Sequence, residues 1–403
     1  MSGPLSGVTV LELIQKGPGA FVTMMLADMG ADVIKVETPS RAKESGSGGS
    51  AKQGDAALQV ANIGNRGKRS VVLDLKHAKG REILAKLAAS ADVLVEGFRP
   101  GVTARLGADF ATLSAINPRL IYCSLSGYGQ DGPYRDLPGH DNNFIGFAGI
   151  QDLVGALDGP PIVPPNLIAD FGGAAMHAVA GISMALFARE RTGRGQHVDI
   201  SYLDCALSLL SSTRPIRDYV SKGRIAERGA GALGGSFPYY RLYETADGGW
   251  LSIGCVEPWL WTNLCSAIGR EDLADGGPRP EDFTSRANPR QVEVGSELEQ
   301  IFRTRPRDAW FDLLAAANVC VGKVYRLPEI FDDPQMRHRG MVSEVEHPEL
   351  GAVKQVGTAI KLSDTPGAIR GFAPFKGEHS NAVLGAAGYG DDEIAALREE
   401  GVI

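Results

Sequence analysis

Two side chains capable of acid–base chemistry stand in the glycine-rich stretch from Ser126 to Gly173. His140 lies in the sequence PGHD, and an apolar run in LIADFGG delivers Asp170 to a pair of glycines. A helical pattern begins with Ala174, directly after these glycines. We therefore expect Asp170 at or just before a helix N-terminus, where free N–H groups and the helix dipole favour a charged carboxylate. Asp170 is then either a helix cap or a carboxylate kept ionised for chemistry.

A set of basic residues indicates an anion site. Lys76 follows one predicted strand, and Arg99 and Arg105 follow another, in EGFRPGVTAR. Ligands of open α/β sheets gather at the carboxyl ends of the strands, so Lys76 and Arg99 could converge on a phosphorylated ligand. The alternative for each basic residue is the charge of an ordinary solvated loop. Three more basic residues precede the first of these strands: Arg66, Lys68 and Arg69.

Three familiar motifs are incomplete in this chain. Gly17-Pro18-Gly19 follows the first predicted strand and Glu37 ends the second, as in a dinucleotide site, but Val22 stands where a third glycine is needed. Residues 181–185 (GISMA) approximate a nucleophile elbow but fall inside a predicted helix. The seven histidines show no HExxH and no other close pairing, so we expect no metal site.

The first third of the chain alternates strands with helices. Strands are predicted at 8–13, 32–37, 70–75, 92–96 and 120–125, and helices at 20–29 and 78–89. This alternation predicts an α/β fold with parallel βαβ units in a Rossmann-like open sheet. Residues 40–54 are rich in Ser, Gly and Lys without an apolar period, which predicts a mobile surface loop.

The pattern changes near residue 222. FPYYRLYETADGGWLSIGCV predicts a β-hairpin that turns at 247–249, and Glu257-Pro258 then opens a helix with proline in its first position. Two more helices are predicted near 296–318 and at 391–400. Three segments follow as predicted domains: a large Rossmann-like domain in 1–221, a smaller α+β domain in 222–295, and a return segment, 296–403, that completes the large domain.

Composition excludes several functional classes. The net charge of −7 over 403 residues leaves no basic face for nucleic acid. The five cysteines include no CxxC pair and four lie in apolar runs, which indicates reduced thiols in a reducing compartment. No signal peptide is recognisable, and no apolar run reaches membrane-spanning length. We therefore expect a soluble cytoplasmic protein with neither nucleic acid nor membrane as a partner.

Motifs spread along nearly the whole chain form one pattern: NRGKRSVVLDLK, ADVLVEGFRPGV, NPRLIYCSLSGYGQDGP, DFGG, RTGRGQHVD and a closing GEHS…GYGDDEI…GVI. This pattern resembles the class III CoA-transferase superfamily, which contains formyl-CoA transferase and α-methylacyl-CoA racemase. The resemblance implies a homodimer of interlocked rings. It also implies a CoA thioester as substrate of the Rossmann-like domain, with no separate cofactor. The CoA-contacting residues that it implies are Leu75, Lys76, Gly97, Phe98, Arg99 and Arg105.

Residue 140 separates the two branches of this superfamily. In the transferase branch the counterpart of Asp170 forms an acyl anhydride with the substrate, and an aromatic hydroxyl commonly replaces His140. The racemase branch carries GHD followed by DFGG, as here, and a Glu-Pro that Glu257-Pro258 matches. The stretch 231–240 departs from the usual racemase sequence, and the length of the loop at 40–54 is more typical of a transferase.

The chemistry of racemisation suits these residue types. Inverting the carbon next to a thioester needs a base on one face and an acid on the other, joined by an enolate. A neutral histidine and a carboxylate can exchange these roles, and each positioned acid or base contributes ~10²- to 10⁴-fold to the rate. The enolate oxygen needs an N–H donor, and the backbone N–H of Asp141 is the candidate. Glu257 would orient or charge-balance His140 across the dimer interface, or else cap a helix.

The resemblance and the residue types together predict an α-methylacyl-CoA racemase that acts through His140, Asp170, Glu257 and Asp141. The first alternative is a CoA-transferase that uses Asp170 as its nucleophile. A CoA-binding protein without catalytic activity and a nicotinamide dehydrogenase are further alternatives. His140 taken alone is more often a hydrogen-bonded loop histidine, and the resemblance along the whole chain reverses that judgement.

Overall fold

The computed structural model describes residues 3–14, 17–39 and 55–403 of the chain. The loop predicted at 40–54 lies outside these residues. The chain divides into two compact units. Unit 1 contains Met1–Ala148, Pro165–Ser208 and Phe331–Ile403, and unit 2 contains Gly149–Pro164 and Leu209–Ile330.

The core of unit 1 is a parallel sheet of six strands in the order β3-β2-β1-β4-β5-β6. The strands of the described residues are β1 (Thr9–Leu13), β2 (Asp32–Glu37), β3 (Arg69–Val72), β4 (Val93–Glu96), β5 (Ile121–Ser126), β6 (His197–Ser201), β7 (Tyr240–Glu244), β8 (Trp250–Gly254), β9 (Val321–Lys323), β10 (Val342–His347) and β11 (Gly351–Val356). The predicted open parallel α/β sheet is therefore confirmed. Its order reverses between β1 and β4, where such sheets bind ligands at the carboxyl ends of the strands.

The helices alternate with the first strands as the sequence predicts. They are α1 (Pro18–Asp28), α2 (Ala56–Ala61), α3 (Ala78–Ala88), α4 (Val102–Arg105), α5 (Phe110–Ile116), α6 (Asp141–Phe147), α7 (Ile150–Leu153), α8 (Met176–Thr192), α9 (Tyr202–Leu210), α10 (Arg214–Lys222), α11 (Pro258–Ala267), α12 (Pro289–Phe302), α13 (Arg307–Ala316), α14 (Leu327–Ile330), α15 (Pro334–His338), α16 (Ser380–Ala386) and α17 (Asp391–Glu399). A π-helical stretch, Leu167–Ala175, runs directly into α8 and is called the π segment below.

Both faces of the six-stranded sheet are buried. Leu11 and Leu13 of β1 point into a core that includes residues of α3, α5, α16 and α17. Val10 of the same strand points the other way, into a core that includes residues of α1 and α8. Successive residues of a strand face opposite sides of the sheet. A parallel sheet covered on both faces therefore needs the nearly continuous apolar runs from which these strands were predicted.

Two of the basic residues before β3 are buried. The Nζ of Lys68 lies 2.7 Å from Oε2 of Glu12, and the Nη2 of Arg66 lies 2.6 Å from Oδ2 of Asp28. The alternative of an ordinary solvated loop charge is therefore wrong for both residues. A buried cation needs a buried anion beside it, and β1 and α1 each supply one.

Unit 2 is built on the antiparallel sheet β7-β8-β9. The predicted hairpin is confirmed, because β7 and β8 pair antiparallel around a turn in which Gly248 has a left-handed φ of 73°. Helix α11 begins at Pro258, as predicted. The single helix predicted near 296–318 is wrong, because α12 and α13 are separate helices. Pro306 precedes α13, and a proline disfavours helical backbone in the residue before it.

The apolar faces of α12 and α13 pack into the core of unit 2 with the hairpin. The core residues that these two helices contribute are Val294, Leu298, Phe302, Trp310 and Leu314. The division predicted from the sequence, with boundaries after residues 221 and 295, stays a prediction about domains. The compact units differ from it because they keep α12 and α13 in unit 2 and also assign 149–164 to that unit.

Among the described residues, the helix from Leu167 to Thr192 is long and apolar enough to cross a membrane, with a mean hydropathy of 1.5. The prediction that no apolar run reaches this length is therefore wrong, because the helix begins at Leu167 and not at Ala174. One third of its most apolar stretch is buried, and α8 contacts α1, β5 and β6 within unit 1.

Candidate active site

Asp170 lies in the first turn of the π segment. Its Oδ2 accepts a hydrogen bond of 3.2 Å from the amide Nδ2 of Asn166, one turn earlier. The N-cap position of this helix belongs to Asn166. The predicted place near a helix N-terminus is therefore nearly right, but Asp170 follows the cap. π-Helical turns within longer helices are frequent at functional sites.

The carboxylate of Asp141 holds the backbone of the π segment. Its Oδ2 accepts the N–H of Ala169 at 2.8 Å and the N–H of Asp170 at 2.9 Å. Asp141 is the first residue of α6 and is only 4% exposed. Within the described part of the chain, its Oδ1 is buried and has no hydrogen-bond partner. The N-terminus of α6 is thereby fixed to the first turn of the π segment.

His140 is brought to Asp170 by this contact. It is the N-cap residue of α6, its side chain is exposed, and its backbone N–H donates to Oδ1 of Asn143 at 3.0 Å. The loop before it requires Gly139, because a Cβ there would lie 2.5 Å from Cε1 of Phe144. The structure therefore brings His140, Asp141 and Asp170 together, and they come from two segments of unit 1.

The surroundings of Asp170 raise its pKa. Burial raises the pKa of Asp170, and the hydrogen bond from Asn166 lowers it. The negative charge of Asp141 raises the same pKa further, while His140 lowers it. A half-buried carboxyl beside a second carboxylate holds its proton to higher pH, which suits a group that gives and takes protons.

Aromatic side chains line the neighbourhood of Asp170. The rings of Phe171 and Phe21 meet edge to face with centroids 5.5 Å apart. Tyr202 stacks on Phe144 at 5.3 Å, and burial together with the charge of Asp170 raises the pKa of Tyr202.

A pocket of 270 Å³ lies at the carboxyl ends of β1 to β4 in unit 1. Four of the residues implied as CoA contacts line it: Leu75, Lys76, Phe98 and Arg105. Two others, Gly97 and Arg99, stand beside Phe98 in the chain but are not among its described lining residues. The pocket lies at the reversal of strand order, where the sequence predicted an anion site.

Glu37 also lines this pocket, yet its carboxylate is engaged inside unit 1. It accepts a hydrogen bond from the hydroxyl of Ser70 and lies 3.8 Å from Nζ of Lys35. The residue is 6% exposed. A ribose hydroxyl would have to compete with these partners, which disfavours the dinucleotide alternative.

Glu257 lies in unit 2, at the N-cap position of α11. Its side chain is exposed and makes no hydrogen bond to the first turn of this helix in the described structure. Helix capping by the carboxylate, the simple alternative for Glu257, is therefore not observed.

Sequence reasoning missed Asn166 and the carboxylate of Asp141. A signal for Asn166 was present, because asparagine after two prolines is a typical N-cap residue and lies one turn before Asp170. The role of the Asp141 carboxylate had no local signal. Among the described residues, no group of three or more His, Cys, Asp and Glu is placed to hold a metal ion. All five cysteines are unpaired, and four of them are buried.

The sequence from residue 5 to residue 380 matches the family model of CoA-transferase family III. The chain belongs to CoA-transferase family III. The resemblance inferred from the motifs is thereby confirmed at the level of the family.

Relatives within family III carry names of two kinds. The chain is 33% identical to alpha-methylacyl-CoA racemase of Homo sapiens, over 99% of this chain and 97% of the relative. It is 34% identical to formyl-CoA:oxalate CoA-transferase of Streptomyces avermitilis, over the full length of both. The identities to the racemase and to the transferase are nearly equal, so they support the family and favour neither of the two reactions.

A solved family III structure has the same fold. The crystal structure of a CAIB/BAIF family protein from Brucella suis superposes with a TM-score of 0.80 and 32% sequence identity, and covers 96% of this chain and 100% of that one. The mixed α/β architecture, with its six-stranded parallel sheet, is therefore that of the family.

Proposed function

We propose that this family III protein is an acyl-CoA racemase that inverts carbon 2 of a 2-methyl-branched acyl-CoA thioester. The observation that carries the proposal is the contact between Asp141 and the N–H groups of Ala169 and Asp170. This contact fixes His140, the chain neighbour of Asp141, beside Asp170. An acid and a base of different type thus stand together, as inversion requires.

In the proposed reaction one proton leaves carbon 2 and another proton is added to the same carbon. In one direction Asp170 takes the proton from carbon 2, and the C–H electron pair moves into the thioester to form an enolate. Protonated His140 then delivers a proton to the opposite face of the same carbon. The backbone N–H of Asp141 lies at the first position of α6, where N–H groups have no partner within the helix, and it would donate a hydrogen bond to the enolate oxygen. In the other direction the roles are reversed.

The protonation of Asp170 supports a proton-transfer role. Burial raises the pKa of this carboxyl, and an acid–base group works best when its pKa lies near the working pH.

We propose that the 270 Å³ pocket holds the nucleotide end of the CoA thioester, which is the substrate, with no separate cofactor. Lys76 and Arg105 on its rim would bind the phosphates through charge-assisted hydrogen bonds. Gly97 and Arg99 adjoin this pocket through Phe98 and remain part of the proposal.

The second candidate is a CoA-transferase. Its Asp170 would attack the thioester carbonyl, expel CoA as a thiolate and form a mixed anhydride with the donor acyl group. The thiolate would then attack the Asp170 carbonyl and release the donor carboxylate, which leaves Asp170 as a CoA thioester. The acceptor carboxylate would attack that thioester and form a second mixed anhydride, from which the CoA thiolate takes the acceptor acyl group and frees Asp170. The 34% identity to formyl-CoA:oxalate CoA-transferase of Streptomyces avermitilis supports this alternative. It gives His140 no necessary part.

The proposal includes a homodimer of interlocked rings in the cytoplasm, in which Glu257 orients His140 across the dimer interface. Exposed apolar side chains support an interface in unit 1. Met184 and Phe187, both on α8, are 69% and 60% exposed. Burying such a side chain at an interface stabilises the complex by about 1.5–3 kcal/mol.

The test is a panel of 2-methylacyl-CoA esters in deuterated water, with and without a carboxylic acid acceptor. We expect deuterium at carbon 2 without any acceptor, and no inversion of carbon 2 in His140→Ala or Asp170→Asn, because each variant keeps a base on one face only. His338→Ala, which removes an exposed histidine from α15, is the matched control and should exchange normally. Acceptor-dependent movement of CoA with no deuterium in the acyl group, and an Asp170 acyl intermediate trapped by hydroxylamine, would establish the transferase instead.

A further inference from the structure

The carboxylate of Asp141 lies outside the π segment, yet it accepts hydrogen bonds from N–H groups in the first turn of that segment. The N–H groups of a helix's first turn have no partners within the helix, and Oδ2 of Asp141 accepts two of them, from Ala169 and Asp170. Its other oxygen, Oδ1, is buried without a partner in the described structure. A buried carboxylate with one oxygen used twice and one unused is costly, which indicates that its charge has a use.

We propose that Asp141 is the positioning residue of this site, whose carboxylate fixes the backbone that carries Asp170 and places a negative charge beside the Asp170 side chain. This inference rests on the proposed function for its effect on turnover. Its two physical effects belong to the protein alone and can be measured without any substrate.

The first effect is geometric. Asp141 begins α6 and His140 is its N-cap residue, so the bonds from Asp141 to Ala169 and Asp170 join the segment of one acid–base group to that of the other. Removing the carboxylate frees both N–H groups and unties the two segments. Asparagine keeps one side-chain oxygen at the same place, so Asp141→Asn retains an acceptor and Asp141→Ala does not.

The second effect is electrostatic. Four groups of the described structure face Asp170: Asp141 and His140 from the start of α6, Tyr202 from α9, and the amide of Asn166. Helix α1, which also packs against the π segment, presents Phe21. After burial and the Asn166 hydrogen bond, the charge of Asp141 is the next influence on the pKa of Asp170, and it raises that pKa. Asp141→Asn removes this charge and should lower it.

The geometric effect is tested by amide hydrogen exchange of a peptide spanning the π segment, in the full-length ligand-free protein. We expect wild type and Asp141→Asn to exchange within about threefold of each other, since both keep an acceptor, and Asp141→Ala to exchange at least about tenfold faster, as the loss of a charge-assisted hydrogen bond implies. Equal protection in Asp141→Ala would overturn the geometric part.

The electrostatic effect is tested by carbon-13 NMR of protein labelled at the aspartate carboxyls, with the Asp170 signal assigned from Asp170→Asn. We expect its titration midpoint to move to lower pH in Asp141→Asn. Asn166→Ala is the matched control of opposite sign, because it removes the hydrogen bond that lowers the pKa of Asp170. A midpoint unchanged or raised in Asp141→Asn would overturn the electrostatic part.

Turnover separates this inference from the proposed function. If deuterium exchange is found, the acidic limb of its pH profile should move to lower pH in Asp141→Asn, in step with the NMR midpoint, while a merely structural role would lower the rate at every pH equally. If no exchange is found but protection and midpoint change as expected, the racemase proposal fails and the role of Asp141 stands. If deuterium exchange at carbon 2 is found but the Asp170 titration midpoint does not move in Asp141→Asn, the racemase proposal stands and the electrostatic part of this inference is overturned.

Discussion

The carboxylates of Asp141 and Asp170 differ in the hydrogen bonds that they receive. Asp141 is buried and accepts two backbone N–H groups, whereas Asp170 is only partly buried and accepts one side-chain amide. Burial raises the pKa of Asp170, and its one hydrogen bond only partly opposes this effect. The fold therefore keeps at this position a carboxyl that is poorly stabilised in its charged form.

The first prediction is that Asp170→Asn stabilises the fold at neutral pH. The folded-state pKa of Asp170 is raised, so the folded protein binds its proton more tightly than the unfolded chain does. The favourable contribution is complete below the ordinary pKa of 3.8 and is lost as pH rises through the raised value. Asparagine has no charge to bury, so we expect a higher Tm than wild type at pH 7.5 and a smaller difference as pH falls towards 4.5.

Differential scanning calorimetry at several pH values provides the measurement. Asp312→Asn, which removes an exposed carboxylate from α13, is the control and should shift Tm little at any pH. A Tm of Asp170→Asn below that of wild type at pH 7.5 would contradict the prediction.

Sequence alone could single out His140 and Asp170 because each stands in a short local pattern. It could not assign the Asp141 carboxylate, because the bond to Ala169 spans 28 residues and nothing near Asp141 in the chain marks its partner. A contact of this kind depends on how β5, α6 and α8 pack together, and the sequence pattern gives the elements without that packing.

At the scale of elements, the pocket at the end of the sheet is a product of four strands. Lys76 follows β3, and Arg105 ends the short helix α4 after β4. Neither element alone forms this cationic rim, because Lys76 and Arg105 line the same pocket from elements that follow two different strands. From the alternation of strands and helices, the sequence predicted that Lys76 and Arg99 could converge at this edge of the sheet. The described pocket lining includes Lys76 and Arg105 but not Arg99.

The second prediction concerns this rim. Arg105→Ala should weaken binding of free CoA by ~1.5–3 kcal/mol, the loss typical of a charge-assisted contact, and Lys76→Ala should act similarly. Isothermal titration calorimetry with CoA measures the effect. Lys79→Ala removes the same charge from α3, where Lys79 pairs with Glu400 away from the pocket, and should leave the affinity unchanged. Equal losses for Arg105 and Lys79 would indicate a general charge effect without a specific site.

The third prediction concerns the buried pair that ties α1 to the sheet. Nζ of Lys68 also donates to the carbonyl of Ala20 at 3.0 Å, and Thr23 donates to Oε2 of Glu12 at 2.7 Å. Burial lowers the pKa of Lys68 to about 8, although Glu12 opposes this shift. Lys68→Met leaves Glu12 buried without its cation, and we expect a loss of about 3–5 kcal/mol in the free energy of unfolding.

The matched control for this pair is the double variant Lys68→Met with Glu12→Gln, measured by urea unfolding at one fixed protein concentration. Glutamine keeps the acceptor for Thr23 and carries no charge, so the double variant should recover most of the lost stability. If Lys68→Met alone is as stable as wild type, the ion pair does not hold α1 in place.

The spacing of apolar residues predicted most strands and helices. It did not predict irregular helical turns, helix breaks or buried polar side chains. The strands were recognisable because a sheet covered on both faces requires apolar runs. The π segment was not recognisable, because its two glycines resemble the end of a loop. The break between α12 and α13 was not recognisable either, because the apolar period continues across Pro306. The burial of Lys68 depends on Glu12 in another strand, which no local pattern reports.

At the scale of the whole molecule, unit 1 is discontinuous in sequence. The chain leaves it after Ala148 and again after Ser208, and returns at Phe331. The returning segment supplies α16 and α17 to the same core as β1 and β3, and the N–H of His379 donates to the carbonyl of Ser70 at 2.9 Å. The first and last parts of the chain are therefore bound to each other, which closes the chain into a loop through unit 2.

The fourth prediction follows from this closure and from the proposed interlocking. If each closed chain is threaded through its partner, the subunits cannot separate unless one chain unfolds, and no stable folded monomer should exist on dilution. Light scattering at low concentration should then give the mass of a dimer. A sharper measurement mixes two homodimers that carry different tags and captures one tag.

Interlocked dimers should yield no mixed dimer over days under native conditions, because exchange needs the release of α16 and α17 from the core of unit 1. The same mixture, unfolded in urea and refolded together, should yield mixed dimers, which shows that the tags permit association. Rapid subunit exchange without denaturant would mean that the two chains meet only at a surface. In that case the closed path of the chain through unit 2 would serve the monomer's own stability, and the exposed apolar side chains of α8 would be the place to look for the separable interface.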